Sequence, residues 1–190
     1  MCLVLKRVSK QLEQPRWGRS IVQSYRYVVA AMAIAAIGGR IFGRLKREVH
    51  TTMDTELESF LNSLGEAERA GGRVLRELTD QAQSLELREL LRKVGHDEGY
   101  YAGELAAQVR RLGGMPSTKT GDFVEKVRSV GNFKDKLELL NRGQRWVVRK
   151  IGEQVGTITD ARLQAFLRVM ADGHDVNIGA LDKALAEGKL

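Results

Sequence analysis

Cysteine is all but missing from this chain. Cys2 is the only one in 190 residues, which excludes an internal disulfide and any zinc or iron–sulfur centre built on several thiolates. Proline is almost as scarce, at two residues, so little interrupts long helices. No Ser-His-Asp order, phosphate-cradling glycine loop or metal-protease helix motif occurs, and nothing argues for a hydrolase, a kinase or a dinucleotide enzyme. Glycine, by contrast, is plentiful at twenty. That is many for a helical protein, so some glycines must sit inside helices.

Acidic side chains are scarce only at the N-terminus. Residues 1–52 hold two acidic and ten basic side chains (+8), whereas residues 53–190 hold 22 acidic and 21 basic (−1). The overall charge of +7 therefore belongs to the extension. The body, residues 53–190, is close to neutral, and no nucleic-acid partner is expected for it. Within the extension, residues 27–39 (YVVAAMAIAAIGG) form an apolar run between Arg26 and Arg40. It falls short of the roughly 20 residues a transmembrane helix needs. Three readings of residues 1–52 stand: a short signal-like or membrane-associating segment, a helix packed on the body or a partner, or a non-native start ahead of a true start at Met53. The expected location is cytoplasmic, or membrane-associated through this apolar segment. Membrane contact is expected only through residues 1–52.

Four long helices and a short one are predicted in the body. The first runs from Asp54 to Thr79, with Thr55 and Glu58 as a capping box. The second runs from Ser84 to Leu112 and stops at Gly113-Gly114. A surface linker, MPSTKTG, precedes a short amphipathic helix over 123–130. The third long helix spans Asn132 to Gly156, and the fourth follows Thr159, its expected N-cap, to Glu187.

Each long helix carries an apolar stripe in steps of three and four, and each stripe is broken near its middle by a polar residue. The first stripe runs Leu57, Leu61, Leu64, Glu68, Gly71, Leu75 and Leu78. The second runs Leu87, Leu91 and Val94, then Glu98 and Tyr101, then Leu105 and Leu112. Gln144 interrupts the third, between Leu140 and Val147, and His174 the fourth, between Met170 and Ile178. Glu68 lies 14 residues before position 82 and Glu98 16 after it; Gln144 and His174 stand in the same relation to position 158. Antiparallel hairpins bring each pair to one height, and a long crossover lets all four share a layer. The spacing thus predicts a buried cluster of Glu68, Glu98, Tyr101, Gln144 and His174.

Some neighbouring residues have simpler readings. Glu66 lies off the stripe and is expected in solvent. Of His96, Asp97 and Glu98, at most one should point inward, because adjacent helical residues face about 100° apart, and His96 reads as a surface residue. Trp146 and Tyr100 read as packing residues, and Arg110-Arg111 as a solvated face. Gly71 would permit either close approach of the second helix or a ligand-sized gap beside Glu68. Arg142, Arg145 and Arg149 lie beside the third stripe as further partners for the carboxylates.

The blocks FLNSLGEAERAGGRVL, DEGYYAGEL, LGGMPSTKTGDF, LLNRGQRWVVRKI and LRVMADGHDVNI resemble a bacterial family of ferritin-like proteins of unknown function, over residues 53–185. The resemblance implies an all-α, ferritin-like up-down four-helix bundle with a long crossover. The superfamily's di-iron pattern takes a Glu from one helix of each hairpin and Glu-x-x-His from the other. Glu68 and Glu98 match it, and so does His174. Tyr101 stands where the first His would be, Gln144 replaces a Glu, and Ala171 replaces another. A two-metal centre needs bridging carboxylates, so ferroxidase or oxygenase chemistry is not expected.

Two functions follow from the residues. In one, the protein is structural or interacting: Gln144 and Tyr101 donate to Glu68 and Glu98, His174 pairs with either, and there is no cofactor. In the other, Glu68, Glu98 and His174 hold a single Fe, Mn or Zn ion in a redox or stress-related protein. A homodimer is the partner the resemblance implies.

Overall fold

The computed structural model describes residues 53–188, so the readings placed on residues 1–52 lie outside the described residues. The described chain is all-helical: α1 (Thr55–Gln81), α2 (Leu85–Arg111), the short α3 (Phe123–Arg128), α4 (Phe133–Gln154) and α5 (Ala161–Ala186). Among the described residues there is no strand, and no helix is long and apolar enough to cross a membrane.

The helix starts are set by side chains that accept orphan backbone N–H groups. Asp54 accepts from the amides of Glu56 and Leu57, at 2.7 and 3.3 Å. Asp54 is thus the cap, in place of the Thr55–Glu58 box; its carboxylate reaches two amides where a threonine hydroxyl serves one. Ser84 caps α2 through Leu87 N, and Asn132 caps α4 through Asp135 N. The last long helix is capped by Asp160, which accepts from Leu163 N at 2.7 Å, not by Thr159. At the end of α2, Gly113 adopts φ 85°. Gly113 N then donates to Arg110 O and Gly114 N to Val109 O, closing the left-handed C-terminal turn that glycine alone adopts without strain.

The connection at 82–84 folds α2 back along α1, and that at 155–160 folds α5 along α4. Each hairpin packs most extensively within itself, and the two join through α1 against α4 and α2 against α5. Between them, the crossover is strapped along α1. Asn62 donates to Met115 O and accepts from Ser117 N, Ser117 donates to Glu66, and Arg69 donates to Lys119 O. Glu66 is therefore a latch for the crossover instead of a free surface carboxylate. Its place off the inward stripe faces the returning chain.

The apolar interior falls into two clusters. One gathers Val74, Leu75, Leu78, Leu87, Leu91, Val94, Leu137, Leu140 and Leu181, closed over by Val124 and Val127 of α3. The other gathers Leu61, Leu64, Leu105, Val109, Val147, Ile151, Leu163, Leu167 and Met170. On every long helix, the boundary between the clusters falls at the polar interruption of the stripe.

Candidate functional site

Between the two clusters the helices bury Glu68, Glu98, Tyr101, Gln144 and His174, none more than 6% exposed. His174 Nε2 lies 3.2 Å from Glu68 Oε1 without forming a hydrogen bond to it. The Tyr101 ring stacks at a tilt against His174, with centroids 5.5 Å apart. Two glycines make this crowding feasible. A Cβ at Gly71 would overlap Glu98, lying 2.7 Å from its Cδ, and one at Gly173 would collide with the Tyr101 hydroxyl. Gly71 thus serves close approach by α2: its bare backbone forms the recess that receives the Glu98 carboxyl.

The Gln144 amide is arranged differently from the sequence expectation. Gln144 Nε2 donates to Asn141 Oδ1 at 3.2 Å, not to a glutamate. Asn141 Nδ2 donates onward to Ile178 O at 3.2 Å and to Asp182 Oδ1 at 2.7 Å. Arg145 also pairs with Asp182, while Arg149 pairs with Glu153 at 3.6 Å and Arg142 is exposed. All three arginines lie on the outer side of α4. Four atoms in the layer, Glu68 Oε2, Gln144 Oε1 and both ring nitrogens of His174, are buried without a hydrogen-bond partner among the described residues. Buried polar atoms are normally paired, so a group of orphans at one level is unusual. Burial pushes the Glu98 carboxyl well above the usual carboxylate range, and the charges of Glu68 and then Asp97 act in the same direction.

Asp97 departs from the expectation that only one of three consecutive residues turns inward. Glu98 faces α1, while Asp97, 8% exposed, faces α5. There it accepts from Lys93 Nζ at 2.8 Å and Asn177 Nδ2 at 3.1 Å, and Lys93 also donates to Asn177 Oδ1. A bundle helix has two covered flanks, so residues 100° apart can both be buried. His96 is exposed as expected (79% for its side chain), and Tyr100 and Trp146 pack against the cluster that holds Leu61 and Leu163. Arg110 and Arg111 are exposed as expected, and the Arg111 guanidinium also grips Asp160 with two bonds of 2.8 and 2.9 Å. Asn141 and Asn177 do not stand out in the sequence because neither interrupts the apolar stripe of its helix. Each lies three residues from a polar layer member, Gln144 or His174, and that helical spacing was the available signal.

Among the described residues, no three His, Cys, Asp or Glu side chains are grouped so as to hold a metal ion as they stand. Glu68 and His174 touch, whereas Glu98 rests in the Gly71 recess. What the fold and layer define is an all-helical domain whose apolar interior is divided by a band of acceptors. The chain belongs to the family described as a domain of unknown function, DUF6306, which matches residues 55–183. No curated protein and no solved structure matches it.

Proposed function

We propose that this protein is a ferritin-like helical bundle that binds one divalent transition-metal ion, with Glu68, Glu98 and His174 as ligands. The supporting observation is the set of orphaned atoms on Glu68, Gln144 and His174, buried on three different helices. Leaving such groups unpaired costs about 1–3 kcal/mol each, and a cation satisfies several lone pairs at once. Two carboxylates balance one divalent charge. Gln144 and Ala171 stand where further carboxylates would be needed for a second ion. Two oxygens and one imidazole nitrogen suit iron, manganese or zinc. Bound there, the ion would supply a Lewis acid or, for iron and manganese, a redox centre. For Glu98 to join, its carboxyl must swing out of the Gly71 recess, which the flexible end of a glutamate can do.

The test is elemental analysis of the full chain purified without nickel affinity. About one iron, manganese or zinc per chain, lost in Glu98→Ala, is the expected result. No metal after reconstitution with each ion would overturn the proposal. That outcome would leave a second reading, a purely structural polar layer. The 3.2 Å contact of His174 with Glu68 favours that reading, because a small ring rotation would let the pair satisfy each other.

A further inference from the structure

The orientation of the Gln144 amide is fixed through Asn141, three residues before it. Asn141 Nδ2 faces the Ile178 carbonyl and the Asp182 carboxylate. Both are acceptors only, so the group that Asn141 turns to them must be its nitrogen. Its Oδ1 is then committed to the other side, where it meets Gln144 at 3.2 Å. An amide oxygen accepts, so the Gln144 group facing it must be the donor, Nε2. Gln144 Oε1 is left pointing away from Asn141, buried and without a partner among the described residues. Gln144 itself is 2% exposed and Asn141 1%, so water outside the fold does not compete for these groups.

Resting on the proposed metal layer, we infer that Gln144 Oε1 is a fourth ligand, and that Asn141, Asp182 and Arg145 are positioning residues that hold this oxygen inward. A glutamine free to flip would offer the layer an NH2 as readily as an oxygen, and an NH2 repels a cation. The tether removes that choice. Its outer end is anchored at the surface, where Asp182 Oδ2 is held by Arg145 and Oδ1 by Asn141. Position 144 thereby keeps the acceptor character of a carboxylate without its charge. That fits a site for one divalent ion, since Glu68 and Glu98 already neutralise it.

The experiment titrates the full chain with Co2+, reading affinity by calorimetry and ligand geometry by the visible d–d spectrum. Gln144→Leu should weaken binding at least about tenfold and change the spectrum. Asp182→Ala, a half-exposed change that leaves the core intact, should weaken binding about tenfold and shift the spectrum in the same direction. Asn141→Leu should do likewise if it folds; Asp182→Ala keeps the test open if it does not. Wild-type binding with an unchanged spectrum and affinity in Gln144→Leu would overturn this inference while leaving the metal layer standing. Loss in Gln144→Leu with no change in Asp182→Ala would overturn the positioning role. A wild-type chain that binds no Co2+, Mn2+, Fe2+ or Zn2+ would overturn the metal layer and the inference together.

Discussion

Two adjacent glycines in α1 should respond to the same substitution with opposite signs. At Gly72 nothing lies within 4 Å of an added Cβ. Gly72→Ala should therefore realise the helix-propensity gain and stabilise the protein by about 0.5–1 kcal/mol. At Gly71 the same gain is opposed by the Glu98 carboxyl, whose Cδ would lie 2.7 Å from the new atom. Overpacking of this kind costs about 1–3 kcal/mol. Glu98 is 3% exposed, so its carboxyl can leave the recess only for the layer, toward the negative charge of Glu68. Gly71→Ala should then be about 1–3 kcal/mol less stable than Gly72→Ala. Urea denaturation measures this directly, as a shift in midpoint at constant m-value. A double-mutant cycle isolates the cause. In a Glu98→Ala background the obstruction is gone, and Gly71→Ala should become stabilising by roughly 1 kcal/mol. If Gly71→Ala stabilises as much as Gly72→Ala in the wild-type background, or if the two changes are additive, the recess is not what Gly71 provides.

Three further outcomes follow from the same geometry. Because burial and the charge of Glu68 hold the folded-state pKa of Glu98 above its ordinary value of 4.5, the folded state holds its proton longer; the stability this contributes is full below about pH 4.5 and is lost as pH rises toward the folded value. Thermal melts of metal-free protein from about pH 5 to about pH 8 should therefore show wild type losing stability relative to Glu98→Gln, and parallel curves would refute it. Asp160→Ala removes both the α5 cap and the Arg111 grip and should cost about 1–2 kcal/mol, with Arg111→Ala costing less; equal melting of Asp160→Ala and wild type would count against the cap. Asn62→Ala breaks two bonds to the crossover, with an expected cost of about 1–2 kcal/mol and faster hydrogen exchange at the Ser117 amide; unchanged exchange there would mean the strap is held by other contacts.

The inward stripes were legible because burial of a helix face leaves a period that survives in the residue order. Glu68, Glu98, Gln144 and His174 all lie in the interior for that reason. What the period does not carry is the direction of a side chain within its layer. Gln144 was expected to donate to a glutamate, yet Asn141, one turn earlier, takes its N–H. That exchange depends on the Ile178 carbonyl and Asp182, which only folding brings near. Asp97 escapes the stripe for a related reason: a single stripe describes one buried flank, and α2 has two. Glu66 lies off the stripe, as its spacing implies, yet meets Ser117 of the crossover instead of open solvent, since the path of the crossover is not written in the periodicity of α1.

The layer combines groups held in place with one that is not. Glu68 and His174 are packed between two apolar clusters whose leucines each contribute about 1.5–3 kcal/mol by burial, so these clusters resist any shift of the helices. Gln144 is held through Asn141 by a main-chain carbonyl and a surface carboxylate, neither of which depends on the layer's contents. Glu98 alone has a second place to be, the recess over Gly71. A cation entering the layer would therefore meet acceptors already oriented, with little reorganisation to oppose binding. The conformational change would fall on one carboxyl, which gains an opposite charge where it previously faced the like charge of Glu68. On this account the glycine that looks like a defect in α1 is what lets the unliganded layer hold two glutamates: it gives the second a recess to occupy, where burial and the charge of Glu68 favour its neutral, protonated form.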